Sequence, residues 1–219
     1  VNMETLYIFK EFFNKTLGSY NVESRNSHTY LNPEKRENYL FNSGINGIED
    51  SDFILLIGTN PRYEATILNA RIRKSYQQNK TKIISLNNIG DLTYPYEYLN
   101  GDIENIKNIV EDKHEISNLI KDAKKPLIIF GQSALKSSAA KFMFEAIKFF
   151  LKKNNKISKE WNSLNTISEN ASSVGSFDLG LYKTVDGSNE VLKDLENNKF
   201  EIIYLLGQDN LKFKKQNEF

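Results

Sequence analysis

The chain of 219 residues contains no cysteine. Disulfides, thiol nucleophiles, cysteine-ligated zinc and cysteine-ligated iron–sulfur clusters are therefore excluded within these residues. Histidine is nearly absent as well. His28 and His114 are the only two, so a three-histidine metal centre is impossible, neither has a second imidazole at helical spacing, and both read as surface residues. Charge of one sign is also missing. Against 29 basic residues stand 28 acidic ones, a net +1, which provides no field to hold nucleic acid or an anionic membrane. Long hydrophobic runs are lacking too: the longest, residues 53–57 and 202–206, have five residues each, against the ~20 needed to span a bilayer. No G-x-G-x-x-G pattern follows any apolar run, and neither Gly58 nor Gly131 leads to the Gly-Lys-Ser/Thr of a P-loop. Residues 131–135, GQSAL, lack the second glycine of a nucleophile elbow, so Ser133 reads as the N-cap of the helix that follows. Nucleophilic catalysis would have to rest on Ser, Thr, Lys or a carboxylate, and no catalytic or metal-ligating residue is assigned.

What is present is a globular composition. Hydrophobic residues make up 39% and charged residues 26%, too apolar for disorder. A chain of this size buries about 70% of its unfolded surface without help from a disulfide or metal. Only five of the cations are arginine (Arg25, Arg36, Arg62, Arg71 and Arg73), while asparagine occurs 27 times. The Lys and Asn excess is that of an AT-rich coding sequence, so the arginines carry more information than the lysines. Three of them fall within residues 62–73.

Along the chain, Leu6, Phe9, Phe13 and Leu17 recur at the spacing of one helical face, predicting a helix over residues 4–17 that stops at Gly18. A polar loop follows to residue 33, then a short helix over 35–43. Three apolar runs ended by glycine come next: 53–57 before Gly58, 126–130 before Gly131, and 200–206 before Gly207. Uninterrupted apolar runs of this length read as strands buried on both faces. Residues 82–86 predict a fourth strand. Helices are expected over 62–78, 102–110, 115–123, 134–152 and 189–197. Strands alternating with helices give an α/β fold of parallel, Rossmann-like sheets flanked by helices. A soft boundary near residue 124 separates a first α/β unit, 1–124, from a second, 125–219. Residues 152–156 read as a solvated helix end, not a nucleic-acid patch. The chain starts at Val1 without a signal-peptide pattern, and run 200–206 has no good helix after it to cover it. The expectation is a fragment of something larger.

One turn has the makings of an anion cradle. In Gly58, Thr59, Asn60, Pro61 and Arg62, the glycine allows a tight exit from the strand. Asn60 suits the N-cap and Pro61 the first helical position. A helix N-terminus at the end of a parallel strand can receive an anion, and any strand-to-helix turn can equally use these residues for structure.

Residues 51–75, SDFILLIGTNPRYEATILNARIRKS, resemble the signature of the large iron–sulfur subunit of NADH-quinone oxidoreductase, respiratory complex I. Four further blocks agree in order and spacing: GDLTYPY at 90–96, AKKPLIIFGQSAL at 123–135, FDLG at 177–180 and YLLGQD at 204–209. The resemblance covers residues 3–209 and implies a piece of that subunit's C-terminal part, which is similar to molybdopterin oxidoreductases of the formate dehydrogenase and DMSO reductase type. It implies a parent that is a proton-translocating NADH:quinone oxidoreductase. Its iron–sulfur clusters (2Fe-2S, 4Fe-4S) would be held upstream of Val1, and this region would be a non-catalytic scaffold. Partners would be the other peripheral-arm subunits and the parent's own iron–sulfur part, with no nucleic acid and no direct membrane insertion. The location implied is the cytoplasmic face of a bacterial inner membrane or the mitochondrial matrix side. Active molybdopterin enzymes carry an Asp-Pro-Arg turn after the strand matching 82–86, where a carboxylate meets guanine or ribose and Arg meets the pyrophosphate. Here that place reads Ser85, Leu86, Asn87, Asn88. No cofactor is therefore expected in this fragment, and Gly58 to Arg62 are a vestigial turn. The alternatives are a working molybdopterin-dependent domain or an unrelated nucleotide-binding α/β protein.

Overall fold

Phe53, Leu55 and Ile57 point to one side of their strand and Ile54 and Leu56 to the other, and all five are buried. A strand apolar on both faces must sit inside a sheet covered by helices twice over. In the computed structural model, which describes residues 1–24, 29–168, 170, 172–182, 190–197 and 199–207, this strand is the middle of five. They are β1 (Phe53–Ile57), β2 (Lys82–Ser85), β3 (Glu97–Tyr98), β4 (Pro126–Phe130) and β5 (Leu164–Thr166). Their order is β3-β2-β1-β4-β5 and every pairing is parallel. The helices are α1 (Met3–Glu11), α2 (Gly44–Asp50), α3 (Pro61–Glu64), α4 (Thr66–Asn79), α5 (Ile103–Val110), α6 (Glu115–Asp122), α7 (Gln132–Leu135), α8 (Ala140–Lys153), α9 (Ser173–Asp178) and α10 (Glu190–Glu196). Ile48 of α2 and Leu68 and Ile72 of α4 cover one face of the sheet. Ile106 and Ile109 of α5, Ile116 and Ile120 of α6 and Phe144, Ile147 and Leu151 of α8 cover the other. The expected α/β class and parallel pairing hold, and residues on both sides of position 124 contribute to one sheet, because β1 pairs with β4 along its whole length.

The third glycine-ended run departs from expectation. Residues 200–207 form no strand, and Ile202 is 87% exposed. An apolar run becomes a buried strand only where a sheet edge is free to accept it. The edge beyond β5 is already taken: the Thr166 N–H donates to the Leu40 carbonyl at 3.1 Å, Phe41 bridges Asn165 antiparallel, and the Asn42 amide donates to the Leu164 carbonyl at 2.6 Å. The run instead lies along the N-terminal helix, Tyr204 meeting Phe9 and Phe13 at ring separations of 5.5 and 6.2 Å.

Other differences are local. The helix expected over 62–78 is broken at Ala65 (φ −151°, ψ 71°) into α3 and α4. The helix expected over 134–152 is divided into α7 and α8. Gly131, not Ser133, takes the N-cap of α7, and Ser133 lies inside it. The segment 35–43 holds a single 3₁₀ turn, Arg36–Asn38. The first helix extends through a π-helical turn, Phe12–Thr16, to Gly18 at φ +66°. Lys156 is no solvated end residue: its ammonium donates to the Lys121 and Ala123 carbonyls at 2.7 and 2.6 Å, closing the C-terminus of α6. His114 is the N-cap of α6, its Nδ1 accepting the Ile116 N–H at 3.2 Å. His28, Arg25 and the tail 208–219, with Leu211, Phe213 and Phe219, lie outside the described residues.

Three arginines have fixed partners, and one of them, Arg36, engages its partner through two guanidinium nitrogens. Arg36 meets both oxygens of Asp178 at 2.9 Å, Arg62 meets the Asp91 carbonyl at 2.8 Å and its carboxylate at 2.7 Å, and Arg71 pairs with Glu49 beside Lys74. Arg73 is exposed. Hydrogen bonds from Arg36, reinforced by Tyr39, hold the Asp178 carboxyl below its usual range. A carboxylate with a depressed folded pKa contributes stability that is complete above its unfolded pKa and lost as pH falls through the folded value. Urea titrations of wild type and Arg36→Leu should therefore show a gap at pH 7 that narrows below about pH 4. A constant gap would mean that the fork contributes through packing alone.

Candidate functional site

From β1 the chain winds to β2 on one side, while β4 lies on the other. The C-terminal ends of β1 and β4 thus flank the topological switch point, where a doubly wound sheet ordinarily opens a crevice for ligands. Gly58, Thr59, Asn60, Pro61 and Arg62 leave β1 there, and Gly131 leaves β4 beside them. All five residues of the expected turn are brought together. Gly58 is left-handed at φ +59°, and Asn60 is the N-cap of α3, its side-chain oxygen accepting the Arg62 N–H at 3.2 Å, with Pro61 first in the helix.

The crevice itself is closed by the two loops. A Cβ on Gly58 would lie 2.3 Å from the Ala134 nitrogen, and one on Gly131 would lie 2.3 Å from the Gly58 oxygen. The Gly131 N–H donates to the Ile57 carbonyl at 2.9 Å. The Gly58 and Asn60 N–H groups and the Thr59 hydroxyl are committed too. The Glu64 carboxylate folds back over the start of α3, accepting the Thr59 hydroxyl at 2.8 Å and the Asn60 N–H at 2.9 Å. The Asn87 side-chain oxygen accepts the Gly58 N–H at 3.2 Å. An internal carboxylate therefore occupies the position an incoming anion would need and repels one.

Arg62 and Asn69 of the 51–75 block bind the 90–96 block. Arg62 holds Asp91, whose carboxyl is kept below its usual range by the Thr93 N–H and by Arg62. Buried Asn69 of α4 donates to the Leu92 carbonyl at 3.1 Å and accepts the Tyr94 hydroxyl at 2.8 Å. Reading the sequence does not single out Glu64, Asn69, Asn87 or Gly131 for these roles. The signal for Glu64 is a Thr-Asn pair followed four residues later by Glu, a variant of the capping box. Among the described residues no group of three or more His, Asp or Glu is arranged to hold a metal ion, and no helix is long and apolar enough to cross a membrane. A cavity of about 630 Å³ lies elsewhere, between α1, α9, α10 and residues 200–207, and shares no residue with this turn.

Comparison with known proteins gives this architecture a family. A family model described as molybdopterin oxidoreductase matches residues 1–218. The iron–sulfur protein 1 of mitochondrial NADH dehydrogenase [ubiquinone] from Solanum tuberosum is 34% identical over 212 residues, covering 97% of this chain and 28% of the relative. The 75 kDa subunit of NADH-ubiquinone oxidoreductase from Reclinomonas americana is 36% identical over 233 residues, covering 100% and 33%. The mitochondrial 78 kDa subunit from Candida albicans is 37% identical over 217 residues, covering 96% and 28%. These relatives are subunits of an oxidoreductase, and the chain spans a third or less of the length of each. With a match that runs from its first residue almost to its last, the chain belongs to the molybdopterin oxidoreductase family.

Proposed function

We propose that these residues are a non-catalytic scaffold portion of the large iron–sulfur subunit of an NADH:quinone oxidoreductase, supporting the cluster-bearing part and contacts to neighbouring subunits. The relatives' names support the subunit, and one observation carries the scaffold reading: the switch-point crevice is filled by the protein itself. A pterin carrying phosphates would need an open gap between the Gly58 and Gly131 loops and free N–H donors beneath it. Here the gap is backbone contact, the Gly58 N–H faces Asn87, and the Asn60 N–H and Thr59 hydroxyl face Glu64. The turn after β2 presents Asn87 and Asn88 and no guanidinium, which removes the planar fork that suits a pyrophosphate. The residues present do not fit the family's cofactor, and no chemical step is assigned to them.

On this reading the iron–sulfur clusters (2Fe-2S, 4Fe-4S) of the parent subunit are held outside these residues. The partners are the peripheral-arm subunits and the parent's own iron–sulfur part. The site of action is the cytoplasmic face of a bacterial inner membrane or the matrix side of a mitochondrial one. The test is elemental analysis and pterin extraction of the chain purified from a host that makes molybdenum cofactor. The expected result is no molybdenum and no pterin above background. Near-stoichiometric molybdenum with a released pterin would overturn the scaffold reading in favour of a working molybdopterin domain.

A further inference from the structure

The side of α8 turned away from the sheet is unusually apolar for a helix surface. Phe149 is 66% exposed and Phe142 45%. Seven residues apart on a helix, they stand about 20° apart around the axis and about 10 Å apart along it, with half-buried Ala146 between them. Two large aromatic rings thus stand in water on one line of the helix. The charges around them have one dominant sign. Lys141, Lys152 and Lys153 are exposed. Lys141 has no carboxylate partner among the described residues, and the other two reach Glu37 and Asp112 at 3.8 Å each, too far for a tight pair. The helix itself carries one acid, Glu145, and its carboxylate accepts the Tyr30 hydroxyl at 2.7 Å.

These features decide between occupants. A second copy of the chain laid antiparallel on this face would bring lysines against lysines, which costs specificity and affinity. A membrane surface would want a broad apolar face, whereas two rings in line form a narrow ridge. We propose that the Phe142–Phe149 ridge of α8 docks an acidic amphipathic helix of a partner protein, its apolar side chains seated against the two rings and its carboxylates facing Lys141, Lys152 and Lys153. The recognition is the helix-on-helix mode, with anchors at positions about two turns apart. It rests on the residues of this chain alone, so it stands or fails independently of the assembly proposed above.

The test uses the whole chain and a fluorescent synthetic helix of 18 residues, with leucines on one stripe and glutamates flanking it. Two control peptides carry lysine in place of glutamate, or serine in place of leucine. Saturable binding of the acidic amphipathic peptide alone is expected. Phe142→Ser with Phe149→Ser should weaken it about tenfold or more, and so should Lys141→Glu with Lys152→Glu and Lys153→Glu. All five sites are exposed, and circular dichroism checks that each variant keeps its fold. The proposal is overturned if the acidic peptide does not bind, if the variants bind it unchanged, or if the lysine peptide binds equally well. It is also overturned if the phenylalanine variant instead abolishes concentration-dependent dimerisation in sedimentation, or binding to phosphatidylglycerol vesicles. Those two outcomes would give the face to a second copy or to a lipid surface.

Discussion

Alanine at Gly58 or at Gly131 should destabilise the protein more than almost any other single-methyl change. At Gly58 the new Cβ meets the Ala134 backbone nitrogen at 2.3 Å, in a residue held at φ +59°. A left-handed conformation costs an L-residue roughly 1–2 kcal/mol, and overpacking adds about 1–3 kcal/mol. The expected loss for Gly58→Ala is thus about 2–5 kcal/mol, large beside the 5–15 kcal/mol that is typical of a domain. At Gly131, where φ is −98°, only the packing part applies, because the Cβ meets the Gly58 oxygen at 2.3 Å and Thr59 at 2.4 Å. Its loss should be about 1–3 kcal/mol. Both clashes lie between the same two loops, so once either loop has been pushed away the second methyl finds room. The double variant should lose clearly less than the sum of the singles. Denaturant titration of the three variants measures this. Additive losses, or losses of a few tenths of a kcal/mol, would mean that the loops are not in contact and that the crevice is open. The same experiment therefore bears on the scaffold reading.

A second large effect is expected where α8 holds a buried cation. Lys148 is 7% exposed, and its ammonium donates to the side-chain oxygen of Asn38, which is itself fully buried and donates to the Asn32 carbonyl at 3.0 Å. Burial holds the Lys148 pKa below its usual range, opposed by the charges of Glu145 and Glu37. Removing the neutral acceptor leaves a buried ammonium without compensation, removing the ammonium leaves a buried acceptor unpaired, and removing both can be nearly neutral. Asn38→Leu should therefore cost about 3 kcal/mol, Lys148→Met about 1–3 kcal/mol because it leaves the buried Asn38 oxygen without its donor, and the double variant should cost clearly less than the sum of the two. At roughly 2–4 °C per kcal/mol for a chain of this size, the first change lowers Tm by about 6–12 °C. The pH dependence follows from the direction of the shift. The unfolded lysine holds its proton up to its ordinary pKa while the folded one gives it up earlier, so stability rises with pH between the two values. That rise should steepen in Asn38→Leu and vanish in Lys148→Met. A tolerant Asn38→Leu with unchanged pH behaviour would mean that the ammonium reaches water without help.

The aromatic and polar contacts around these pairs show where sequence reading stops. Tyr39, Phe177 and Tyr182 stack in sequence at 4.6 and 3.9 Å, and Tyr39 also donates to Asp178 at 3.0 Å. Nothing in local periodicity joins residue 39 to residue 178. The Arg36 fork to Asp178, 142 positions apart, is equally silent in sequence. All that can be read there is that a scarce arginine is retained.

By itself the sequence determined the two central strands, because runs of five apolar residues ended by glycine leave a parallel strand buried on both faces as the stable solution. It determined the cap of α3, because Asn60 and Pro61 act on backbone groups one or two residues away. It also carried the resemblance that the family match bears out. Tertiary structure decided the rest. Residues 202–206 are an unbroken apolar run like β1, yet they form no strand, because Leu40 and Phe41 already hold the edge of β5. The Gly58 turn has the composition of an anion cradle, yet Glu64, Asn87 and the Gly131 loop fill it from 4, 29 and 73 residues away in sequence. A local pattern states what a segment can do, and competition for edges, donors and space among distant segments selects which of those things it does.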